Sequence, residues 1–466
     1  MEFKKCVCVI GGGFTGLAAA YELSRRGVKA VVVESDQAVG GLAGSFEVGG
    51  EWLEKFYHHW FKSDVYVLQL IEELDAQDRV MYRRTRTGMY FAGNFFKLST
   101  PVDVLKFTAL SMPNRLRLGL LALKVRKIRD WKKLESLTAS EWVSSVAGAS
   151  VFSTVWEPLL RGKFGPFAPE ISAVWLWNKL NLRGGSRDRK GREVLAYFRG
   201  GFAALGQLMA DEIKASGGEI RTGSSATSLV VEMGRVKAVR TSEGVISADA
   251  VIATTALPII AQLLGTDAPA GYLEKLWAIR YLANVCIVLE LDRSLSSTYW
   301  LNIVDPTFPF VGVIEHTNLE AAKTYGQRHI VYLSRYLLES DPLYTASDSH
   351  VLEYCLLHLK RMFPQFSSEW LRAHHVWRAR YAQPLVVRGY SALIPRSETP
   401  IECFYISTMA QIYPQDRGTN YAIRDGRAIA RKVASSLGVS SELVQPQPRS
   451  GLCSEQNTAD QHRFRL

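Results

Sequence analysis

Two adjacent histidines, His58 and His59, occur in the aromatic segment EKFYHHWF at residues 54–61. A histidine titrates near neutral pH, so either side chain could transfer a proton or hydrogen-bond a substrate. Adjacent residues point in different directions in a strand or a helix, whereas two ligands of one metal normally have i,i+2 or i,i+4 spacing. The pair therefore indicates proton chemistry or a structural hydrogen bond to the backbone, and it does not predict a metal site.

The elements that would position such chemistry begin near the N-terminus. The pattern of apolar residues predicts a short buried strand at Val7–Ile10, an amphipathic helix at Leu17–Arg25 and a second strand at Lys29–Val33. The second strand ends in an acidic residue, Glu34. This order of elements is typical of a dinucleotide-binding fold, in which the acid accepts hydrogen bonds from a ribose diol.

Glycines occupy the turn between the first strand and the helix. Gly11, Gly13 and Gly16 have the spacing G-x-G-x-x-G. The first glycine permits a tight turn, the second lets the backbone approach a pyrophosphate, and the third lets the helix pack closely on the strand. The helix N-terminus presents free N–H groups to the phosphates. A glycine-rich turn without a ligand would not require the acid, so the complete pattern predicts dinucleotide binding.

Three separated segments resemble one group of FAD-binding proteins. Gly40 and Gly41 resemble the second glycine pair of the glutathione-reductase-like and amine-oxidase-like families. Residues 198–258 resemble the middle segment of that superfamily, with a helix at Phe202–Ala215, and residues 403–434 resemble its closing strand, loop and helix. The chain is therefore identified as a member of the flavin amine oxidase superfamily. Its pattern is most similar to protoporphyrinogen-oxidase-like proteins and, more distantly, to UDP-galactopyranose mutases.

The resemblance implies an α/β fold with a glutathione-reductase-like, Rossmann-type FAD-binding domain and an inserted α+β substrate domain. The FAD-binding domain is predicted to be discontinuous, at residues 1–60, 198–265 and 395–440. The inserts at 61–197 and 266–394 would form the substrate domain over the flavin. A flexible tail is predicted at 441–466, where the sequence is polar.

The resemblance also implies which residues contact FAD. The predicted contacts are Gly11, Gly13, Phe14, Thr15, Gly16, Glu34, Gly40, Gly41, Leu42, Ala226, Thr254, Gly418, Thr419, Asn420 and Tyr421. In the superfamily the closing helix points its N-terminus at the flavin pyrimidine ring, where N–H groups stabilise negative charge on the reduced flavin.

Other positions depart from the pattern of the superfamily. Amine oxidases usually have an arginine after the second glycine pair, where this chain has Leu42. Their closing strand normally ends in a glycine and an acid, where this chain has Ser407 and Thr408. The aromatic pair of the amine cage is not evident, and the Pro-Gly of carotenoid desaturases is absent from the closing segment. The fold and the cofactor are therefore expected to match the superfamily, whereas amine oxidation is not.

Candidate active-site residues come from several segments. The histidine pair resembles a histidine-rich run of the mutases and would lie against the flavin. Residues 377–390 resemble a stretch close to the flavin in porphyrinogen oxidases, and residues 413–417 precede the closing helix. The predicted catalytic residues are His58, His59, Arg380 and Tyr413, with Tyr381 and Arg417 as further candidates near the flavin.

Substrate contacts are predicted from polar clusters in the two inserts. Arg161 and Lys163 occur in what we predict to be a glycine-interrupted turn, which would suit an anionic substrate. Glu315 and His316 follow an apolar strand and could face the cavity, as could Gln383. The alternative is that these residues have only structural roles, in a surface turn and at a strand end.

The composition limits the classes of partner. The chain has 466 residues, 47% of them hydrophobic, which predicts two or three globular domains. A net charge of +11 favours an anionic partner, such as a phosphate-bearing cofactor, an anionic substrate or a lipid headgroup. No nucleic-acid-binding motif accompanies the charge, so we expect no nucleic acid partner.

A cytoplasmic location is expected from three further features. The strand CVCVI starts within the first ten residues, which leaves no room for a signal peptide. No apolar run has the roughly 18–20 residues that a membrane span requires. The six cysteines form no CxxC pair and are expected to be reduced thiols.

Residues 107–134 combine leucines with many basic residues. The segment resembles an interfacial amphipathic helix pair, which would place the protein peripherally on the anionic inner face of a membrane. The alternative is a solvent-facing basic helix that covers the core of the substrate domain.

The simplest function is that of an FAD-dependent oxidoreductase, in which a small or lipid-like substrate loses a hydride to flavin N5. The alternative is a redox-neutral mutase that acts on a nucleotide sugar, which the histidine run and the basic residues at 161–187 favour. A third hypothesis is a non-catalytic flavoprotein. The residue pattern predicts neither the substrate nor the electron acceptor nor the oligomeric state.

Overall fold

The computed structural model describes residues 5–97, 101–188 and 192–439. The strands are β1 (Cys6–Ile10), β2 (Lys29–Val33), β3 (Ser45–Val48), β4 (Glu51–Glu54), β5 (Trp60–Phe61), β6 (Val80–Arg84), β7 (Thr87–Phe91), β8 (Asn94–Lys97), β9 (Val194–Phe198), β10 (Glu219–Arg221), β11 (Ala226–Glu232), β12 (Arg235–Thr241), β13 (Gly244–Ser247), β14 (Ala250–Ala253), β15 (Tyr281–Leu291), β16 (Trp300–Ile303), β17 (Gly312–Glu315), β18 (His329–Leu337), β19 (Leu371–Pro384) and β20 (Phe404–Ile406). The helices are α1 (Phe14–Ser24), α2 (Val65–Glu73), α3 (Pro101–Leu105), α4 (Met112–Lys127), α5 (Ala139–Ala147), α6 (Ala149–Val151), α7 (Glu157–Phe164), α8 (Ala173–Gly185), α9 (Gly201–Ala215), α10 (Leu257–Leu264), α11 (Ala270–Ala278), α12 (Pro342–Thr345), α13 (Asp348–Met362) and α14 (Thr419–Ser436).

A five-stranded parallel sheet with the order β10-β2-β1-β14-β20 forms the first layer of the fold. Val9 in the central strand β1 pairs with Val32 of β2 and with Ile252 of β14, and all three are buried. Continuous apolar strands are typical of a parallel sheet that is covered on both faces. Helix α1 follows β1 in the chain, and helix α14 follows β20. The N-termini of both helices therefore lie at the carboxyl edge of this sheet, where α/β folds bind ligands.

Helices α1 and α14 approach each other closely because glycine occupies the contact. A Cβ atom at Gly426 of α14 would lie 2.2 Å from the carbonyl oxygen of Thr15 in α1. On the other side of α1, Phe14 contacts Phe202 of α9 at a ring distance of 6.0 Å. Gly426 and the two aromatic rings thereby fix the positions of three helices relative to one another.

A seven-stranded mixed sheet with the order β19-β15-β18-β17-β16-β7-β8 forms the second large layer. Its strands are antiparallel except for β16 and β7, which are parallel. The two longest strands at its centre are β15 and β18, which pair with each other along nine residues. The mixed α/β architecture with a parallel sheet confirms the predicted fold class.

The strands follow the predicted segments of the chain. The parallel sheet takes its strands from 1–60, 198–265 and 395–440, whereas the seven-stranded sheet takes its strands from 61–197 and 266–394. The division into two domains at these residue numbers stays a prediction. The predicted tail lies outside the described residues.

One helix, α4, occupies most of the segment at 107–134, so the prediction of a helix pair is wrong. Leu118, Leu121 and Val125 of α4 are buried against the core, while other leucines of the same helix are exposed. In the part of the chain that the structure describes, no helix is both long and apolar enough to cross a bilayer. The described cysteines Cys6, Cys8, Cys286, Cys355 and Cys403 are free thiols.

Candidate functional site

The first glycine loop leaves the N-terminus of α1 open. Gly13 is the N-cap of α1, and among the described residues no side chain caps it and no acid lies in the first turn. The N–H groups of Phe14 and Thr15 therefore remain for a phosphate. A Cβ at Gly16 would lie 1.9 Å from the carbonyl oxygen of Gly11, whereas a Cβ at Gly13 would meet its first neighbour only at 3.9 Å. Gly11 and Gly16 are therefore needed for close packing, whereas Gly13 leaves room for a ligand.

Glu34 holds this loop in place. The side chain is 8% exposed, and its Oε2 accepts a 2.6 Å hydrogen bond from the N–H of Gly12. Its Oε1 accepts hydrogen bonds from the N–H of Asp36 at 2.9 Å and from the hydroxyl of Ser35 at 3.2 Å. The ribose role predicted for Glu34 stays a prediction. Its bond to Gly12 was missed at the sequence level, because G-x-G-x-x-G assigns no role to that glycine.

The second glycine pair lies against the first. The N–H of Gly40 donates a 2.9 Å hydrogen bond to the carbonyl oxygen of Gly12, and Gly40 also pairs with Gly13 as an isolated parallel bridge. Gly40 has φ +127° and Gly41 has φ +57°, which other residues rarely adopt. Leu42 follows in a short 3₁₀ turn and is half-buried. The two loops form one surface of backbone at the edge of the sheet.

Two buried hydroxyl groups near the carboxyl ends of the parallel strands have no hydrogen-bond partner among the described residues. They belong to Ser224, which follows β10, and to Thr255, which follows β14. Buried polar groups are almost always satisfied, so these two fit a polar ligand at this edge. Thr254 is engaged, because its hydroxyl donates to the carbonyl oxygen of Ile10 at 3.0 Å. Ala226 is the first residue of β11, two positions after Ser224.

The closing helix α14 begins with an open N-terminus as well. Gly418 is its N-cap, with no side-chain cap and no acid in the first turn among the described residues. The hydroxyl oxygen of Thr419 accepts a 2.7 Å hydrogen bond from Nε1 of Trp60. The side-chain oxygen of Asn420 accepts from the N–H groups of Tyr66 and Val67 at the start of α2, at 2.9 and 3.1 Å. The N–H of Tyr421 donates to the carbonyl oxygen of Gly418 at 3.1 Å, so the N–H groups of Thr419 and Asn420 remain for a ligand. The side chains of the turn fasten it to residues 60–67.

Tyr421 completes the first turn of α14. Its ring lies 5.0 Å from the guanidinium of Arg424, and burial raises the pKa of its phenol to about 12. The phenol is therefore protonated at neutral pH and retains its O–H donor. Its predicted contact with FAD stays a prediction.

The adjacent histidines have different partners. Nδ1 of His58 lies 2.5 Å from the carbonyl oxygen of Phe56, so Nδ1 carries the proton and Nε2 is free to accept one. Burial, together with nearby Arg417, lowers the pKa of His58 to about 4, so the ring is neutral at pH 7. Nδ1 of His59 lies 3.0 Å from the hydroxyl of Tyr299.

Arg417 directly precedes the N-cap of α14 and contacts the seven-stranded sheet, which we call the cap sheet. Its Nε donates to the side-chain oxygen of Gln383 at 3.1 Å, and its Nη2 donates to the hydroxyl of Tyr336 at 2.8 Å. Burial, together with Tyr336, raises the pKa of Tyr57 well above its ordinary value. The segment before His58, the closing loop and strands β18 and β19 therefore meet here.

Asp416 lies at the centre of three cations. The buried carboxylate accepts a 3.1 Å hydrogen bond from Nε1 of Trp175 and forms an ion pair with Lys179. Nζ of Lys163 lies 4.9 Å from the ring centroid of Trp175. Burial by itself raises the pKa of Asp416, but Lys179, Lys163 and Arg417 together hold it well below its usual range. We name Asp416, Lys163, Lys179 and Arg417 the cation cluster.

Lys163 and Arg161 lie in helix α7, so the prediction of a turn at this point is wrong. Glycine suits position 162 of this helix because a Cβ atom there would lie only 3.2 Å from Cγ1 of Val311, so a larger residue would have little space. Arg161 is exposed and pairs with Glu157 one turn earlier at 2.8 Å. Of these two residues of α7, only Lys163 therefore belongs to the cation cluster.

Two predicted catalytic residues have partners away from the histidine segment. Arg380 is exposed and pairs with exposed Glu339 at 2.7 Å. The hydroxyl of Tyr413 donates a 2.5 Å hydrogen bond to Glu135, in the helical insert. Their catalytic roles stay predictions.

Glu315 and His316 are buried, and each side chain is hydrogen-bonded to neighbouring residues. Glu315 accepts hydrogen bonds from the N–H groups of Leu295 and Ser296, at 3.1 and 2.8 Å. Nε2 of His316 lies 2.8 Å from the hydroxyl of Tyr325, and burial lowers the pKa of His316 to about 3. These contacts give both side chains structural roles, and their predicted contact with substrate stays a prediction.

Glu54 is a buried carboxylate that sequence reasoning did not select. Its side chain is fully buried and accepts hydrogen bonds from the hydroxyl of Tyr197 at 2.9 Å and from the N–H of Phe202 at 2.7 Å. Burial raises its pKa to about 7, against the opposing effect of those bonds. Its partners lie about 150 residues away in the chain, so no local spacing pointed to it.

Comparison with known proteins identifies the family. The family model for "Flavin containing amine oxidoreductase" matches residues 14–434, so the chain belongs to this family. FAD is its cofactor, and the chain is an FAD-dependent oxidoreductase. The open helix N-termini and unsatisfied hydroxyls described above fit this cofactor. Membership confirms the superfamily that the three separated segments predicted.

Individual relatives are distant. The chain is 23% identical over 435 residues to 15-cis-phytoene desaturase of Narcissus pseudonarcissus, covering 86% of this chain and 74% of the relative. It is 29% identical over 196 residues to mitochondrial protoporphyrinogen oxidase of Nicotiana tabacum, covering 39% of this chain and 38% of the relative. The crystal structure of reduced UDP-galactopyranose mutase superposes with a TM-score of 0.72 at 16% identity, covering 94% of this chain and 97% of the mutase. At this low identity, the similarity to the mutase shows a shared fold and nothing about the reaction.

Proposed function

We propose that this flavoenzyme oxidises or desaturates a small or lipid-like substrate at a site bounded by His58, Arg417 and the N-terminus of α14. One observation carries the proposal. The 2.7 Å hydrogen bond from Trp60 to Thr419 joins the histidine segment to the helix that is predicted to face the flavin pyrimidine ring. A neutral histidine, a buried guanidinium and an open helix N-terminus thereby share one region of the molecule.

Bound FAD would supply the hydride acceptor for the oxidation. The glycine loops and the N–H groups of Phe14 and Thr15 would bind the diphosphate. The N–H groups at the start of α14 would stabilise negative charge on the pyrimidine ring. Nε2 of His58 would accept a hydrogen bond or a proton from the substrate, because its Nδ1 is already fixed by Phe56.

The cap sheet would exclude water from the reacting atoms. Tyr57 packs edge-on against Trp300 at a ring distance of 4.9 Å, and Tyr332 of β18 donates a 2.7 Å hydrogen bond to the carbonyl oxygen of Glu54. These aromatic contacts place β16 and β18 over the histidine segment. A dry site strengthens every electrostatic interaction within it.

A redox-neutral mutase that acts on a nucleotide sugar is the second candidate. The excess of cations around Asp416 supports it, since a nucleotide sugar carries phosphates. The two functions differ in their need for reduced flavin. An oxidase should bleach its own flavin when substrate is added without oxygen and recover in air. A mutase should be active only after the flavin has been reduced with dithionite, and that result would contradict the proposed oxidation.

We also propose that α4 rests on a membrane surface. Met112, Leu116, Leu120 and Leu123 recur at three- or four-residue intervals, so they share one helix face, and each is more than half exposed. The helix contains five basic residues and no acid. Exposed leucines flanked by basic residues suit the headgroup region of an anionic bilayer, which would give access to a lipid-like substrate. A cytoplasmic protein would meet such lipid on the inner face of the membrane.

A further inference from the structure

A chain of hydrogen bonds joins the cap sheet to the histidine segment. It begins in β15, where Nδ2 of Asn284 donates to the hydroxyl oxygen of Ser334 in β18 at 3.0 Å. Ser334 also hydrogen-bonds the phenol of Tyr57, and Tyr57 hydrogen-bonds the phenol of Tyr336. Asn284 and Tyr336 are paired in register across β15 and β18, so the chain leaves the cap sheet at Ser334 and returns to it at Tyr336.

The bonds of this chain all have the same direction. Asn284 occupies the oxygen of Ser334 as a donor, so the hydrogen of Ser334 is directed to its other partner among the described residues, Tyr57. Burial, together with Tyr336, raises the pKa of Tyr57 well above its ordinary value. Tyr57 therefore keeps its proton and donates it to Tyr336. Hydrogen bonds aligned in this way strengthen one another, and here they all point toward Tyr336.

The hydroxyl oxygen of Tyr336 receives a second donor as well. Nη2 of Arg417 donates to it at 2.8 Å. A hydroxyl oxygen has two lone pairs, so Tyr57 and Arg417 together fill the acceptor positions of Tyr336. Its own O–H must then be donated elsewhere, and no residue in the described part of the chain accepts it. The chain thus ends in an unused donor.

This donor belongs to the region in which we place the reaction. Tyr57 directly precedes His58 in the chain, and Arg417, which bonds Tyr336, also acts on His58 through its charge. All four side chains are half-buried, so a ligand can reach part of each of them. The region thereby offers one donor, the O–H of Tyr336, and one acceptor, Nε2 of His58.

We propose that Tyr336 donates a hydrogen bond to an oxygen atom of the substrate, such as a carbonyl oxygen, and thereby selects oxygen-bearing substrates over hydrocarbons. This inference rests on the proposed function, because it adds a second substrate contact to the site beside His58. A hydrocarbon would exclude water from the O–H of Tyr336 and leave it without an acceptor, which costs binding free energy. An oxygen-bearing substrate avoids that cost.

Two small molecules of matched shape test the proposal on the FAD-loaded protein. Acetophenone has a carbonyl oxygen at the position where α-methylstyrene has a methylene group. Each is titrated while the visible absorbance of the flavin is recorded, and the ratio of the two affinities is compared between variants. We expect Tyr336→Phe to lower the affinity for the ketone relative to the alkene by roughly tenfold, with little change in the affinity for the alkene.

Tyr354→Phe is the matched control, because it removes the hydroxyl of an exposed tyrosine in α13. It should keep the affinity ratio of the wild type. The melting temperature and the FAD content of both variants are measured first, so that loss of fold or cofactor is not mistaken for loss of a hydrogen bond.

An infrared measurement on the wild type tests the same contact without a variant. The C=O stretching band of bound acetophenone is identified by isotopic labelling of the carbonyl carbon. A hydrogen bond to the oxygen weakens the C=O bond, so we expect the band at a lower frequency than in hexane. In Tyr336→Phe the band should move back toward its frequency in hexane.

Three results would overturn the inference. They are an unchanged affinity ratio in folded Tyr336→Phe, a C=O band of bound acetophenone at its frequency in hexane, and a flavin spectrum that acetophenone does not perturb. Any of them, in protein that holds FAD and is bleached by a substrate, would refute the contact through Tyr336 and leave the proposed oxidation intact. Protein that never takes up FAD would instead refute the site on which the proposed function depends.

Discussion

Trp60 and Thr419 are 359 positions apart in the chain, yet the indole N–H of the first donates a 2.7 Å hydrogen bond to the hydroxyl oxygen of the second. Trp60 is 1% exposed and packs on Phe202 at a ring distance of 4.4 Å. The bond therefore holds the first turn of α14 against the histidine segment and against α9. Any change in it should alter both the stability of the fold and the geometry of the flavin site.

Replacing either partner should destabilise the protein by leaving a buried polar group unsatisfied. We expect Thr419→Val to lower the free energy of unfolding by about 1–3 kcal/mol, because the indole N–H loses its acceptor. Trp60→Phe should cost more, since it also removes packed surface. Urea denaturation of both single variants and the double variant measures the coupling. Additive losses would show that the hydrogen bond contributes nothing, whereas we expect the double variant to lose less than the sum.

Gly13→Ala should separate FAD binding from folding. Gly13 has an extended backbone with φ −71° and ψ 175°, and an added Cβ would meet no atom closer than 3.9 Å. Alanine should therefore fold normally, while its methyl group would fill the space needed for the diphosphate. We expect a melting temperature near that of the FAD-free wild type and more than a tenfold loss of FAD affinity.

Gly271→Ala is the matched control for this experiment, because a Cβ at Gly271 in α11 would also meet nothing within 4 Å. It should keep its full content of FAD, measured as flavin absorbance per protein after heat release. A Gly13→Ala variant that retains full FAD would show that the diphosphate does not approach this residue.

Glu54 should make stability depend on pH. The carboxyl has an ordinary pKa of 4.5 and is raised to about 7 by burial in the folded protein. Between these values the folded state retains the proton that the unfolded state releases, so this group lowers stability as pH rises from 4.5 to 7. Glu54→Gln keeps an oxygen for the N–H of Phe202 and cannot ionise.

The difference in free energy of unfolding between Glu54→Gln and the wild type should therefore shift in favour of the variant across that window. The expected shift is about 3 kcal/mol, and it should level off above pH 7. Chemical denaturation at a series of pH values measures it. A difference that stays constant throughout would mean that Glu54 ionises at its ordinary pKa.

The exposed face of α4 should bind anionic vesicles. We expect the protein to sediment with phosphatidylglycerol vesicles and less so in high salt, because basic residues flank the leucines. Replacing Leu116, Leu120 and Leu123 by Gln should weaken this partitioning more than tenfold, since each inserted leucine contributes on the order of 1 kcal/mol.

A variant with three exposed apolar residues replaced elsewhere provides the control. Val245, Trp277 and Leu357 are each about half exposed or more, and their replacement by Gln should leave vesicle binding unchanged. Equal binding by the two triple variants, or no binding by the wild type, would contradict a membrane contact through α4.

The local parts of the fold were predictable from the residue pattern. The strand predicted at Lys29–Val33 is present with those bounds, and the helix predicted at Phe202–Ala215 begins one residue earlier, at Gly201. Apolar strands and glycine turns are determined by nearby residues, so their signal survives in the sequence. The helix predicted from Leu17 starts at Phe14, because Gly13 serves as its N-cap.

Features that depend on distant contacts were missed. The glycine at 162 suggested a turn, but tertiary packing against Val311 accommodates it inside α7. Arg380 was predicted to be catalytic and Gln383 to contact substrate, although residues three apart point to opposite faces of a regular strand. Arg380 is exposed, while Gln383 is buried beside Arg417. The cation cluster joins α7, α8 and the loop before α14, and no spacing rule connects residues so far apart.

The most direct test of the proposed function is the absorbance spectrum of the purified protein during anaerobic addition of candidate substrates. We predict a flavin spectrum, release of FAD on denaturation, bleaching by a substrate and recovery in air. Slower bleaching in His58→Gln with unchanged FAD content would locate the reaction beside that histidine. A colourless protein that does not take up added FAD would contradict the account, as would catalysis that appears only after reduction by dithionite.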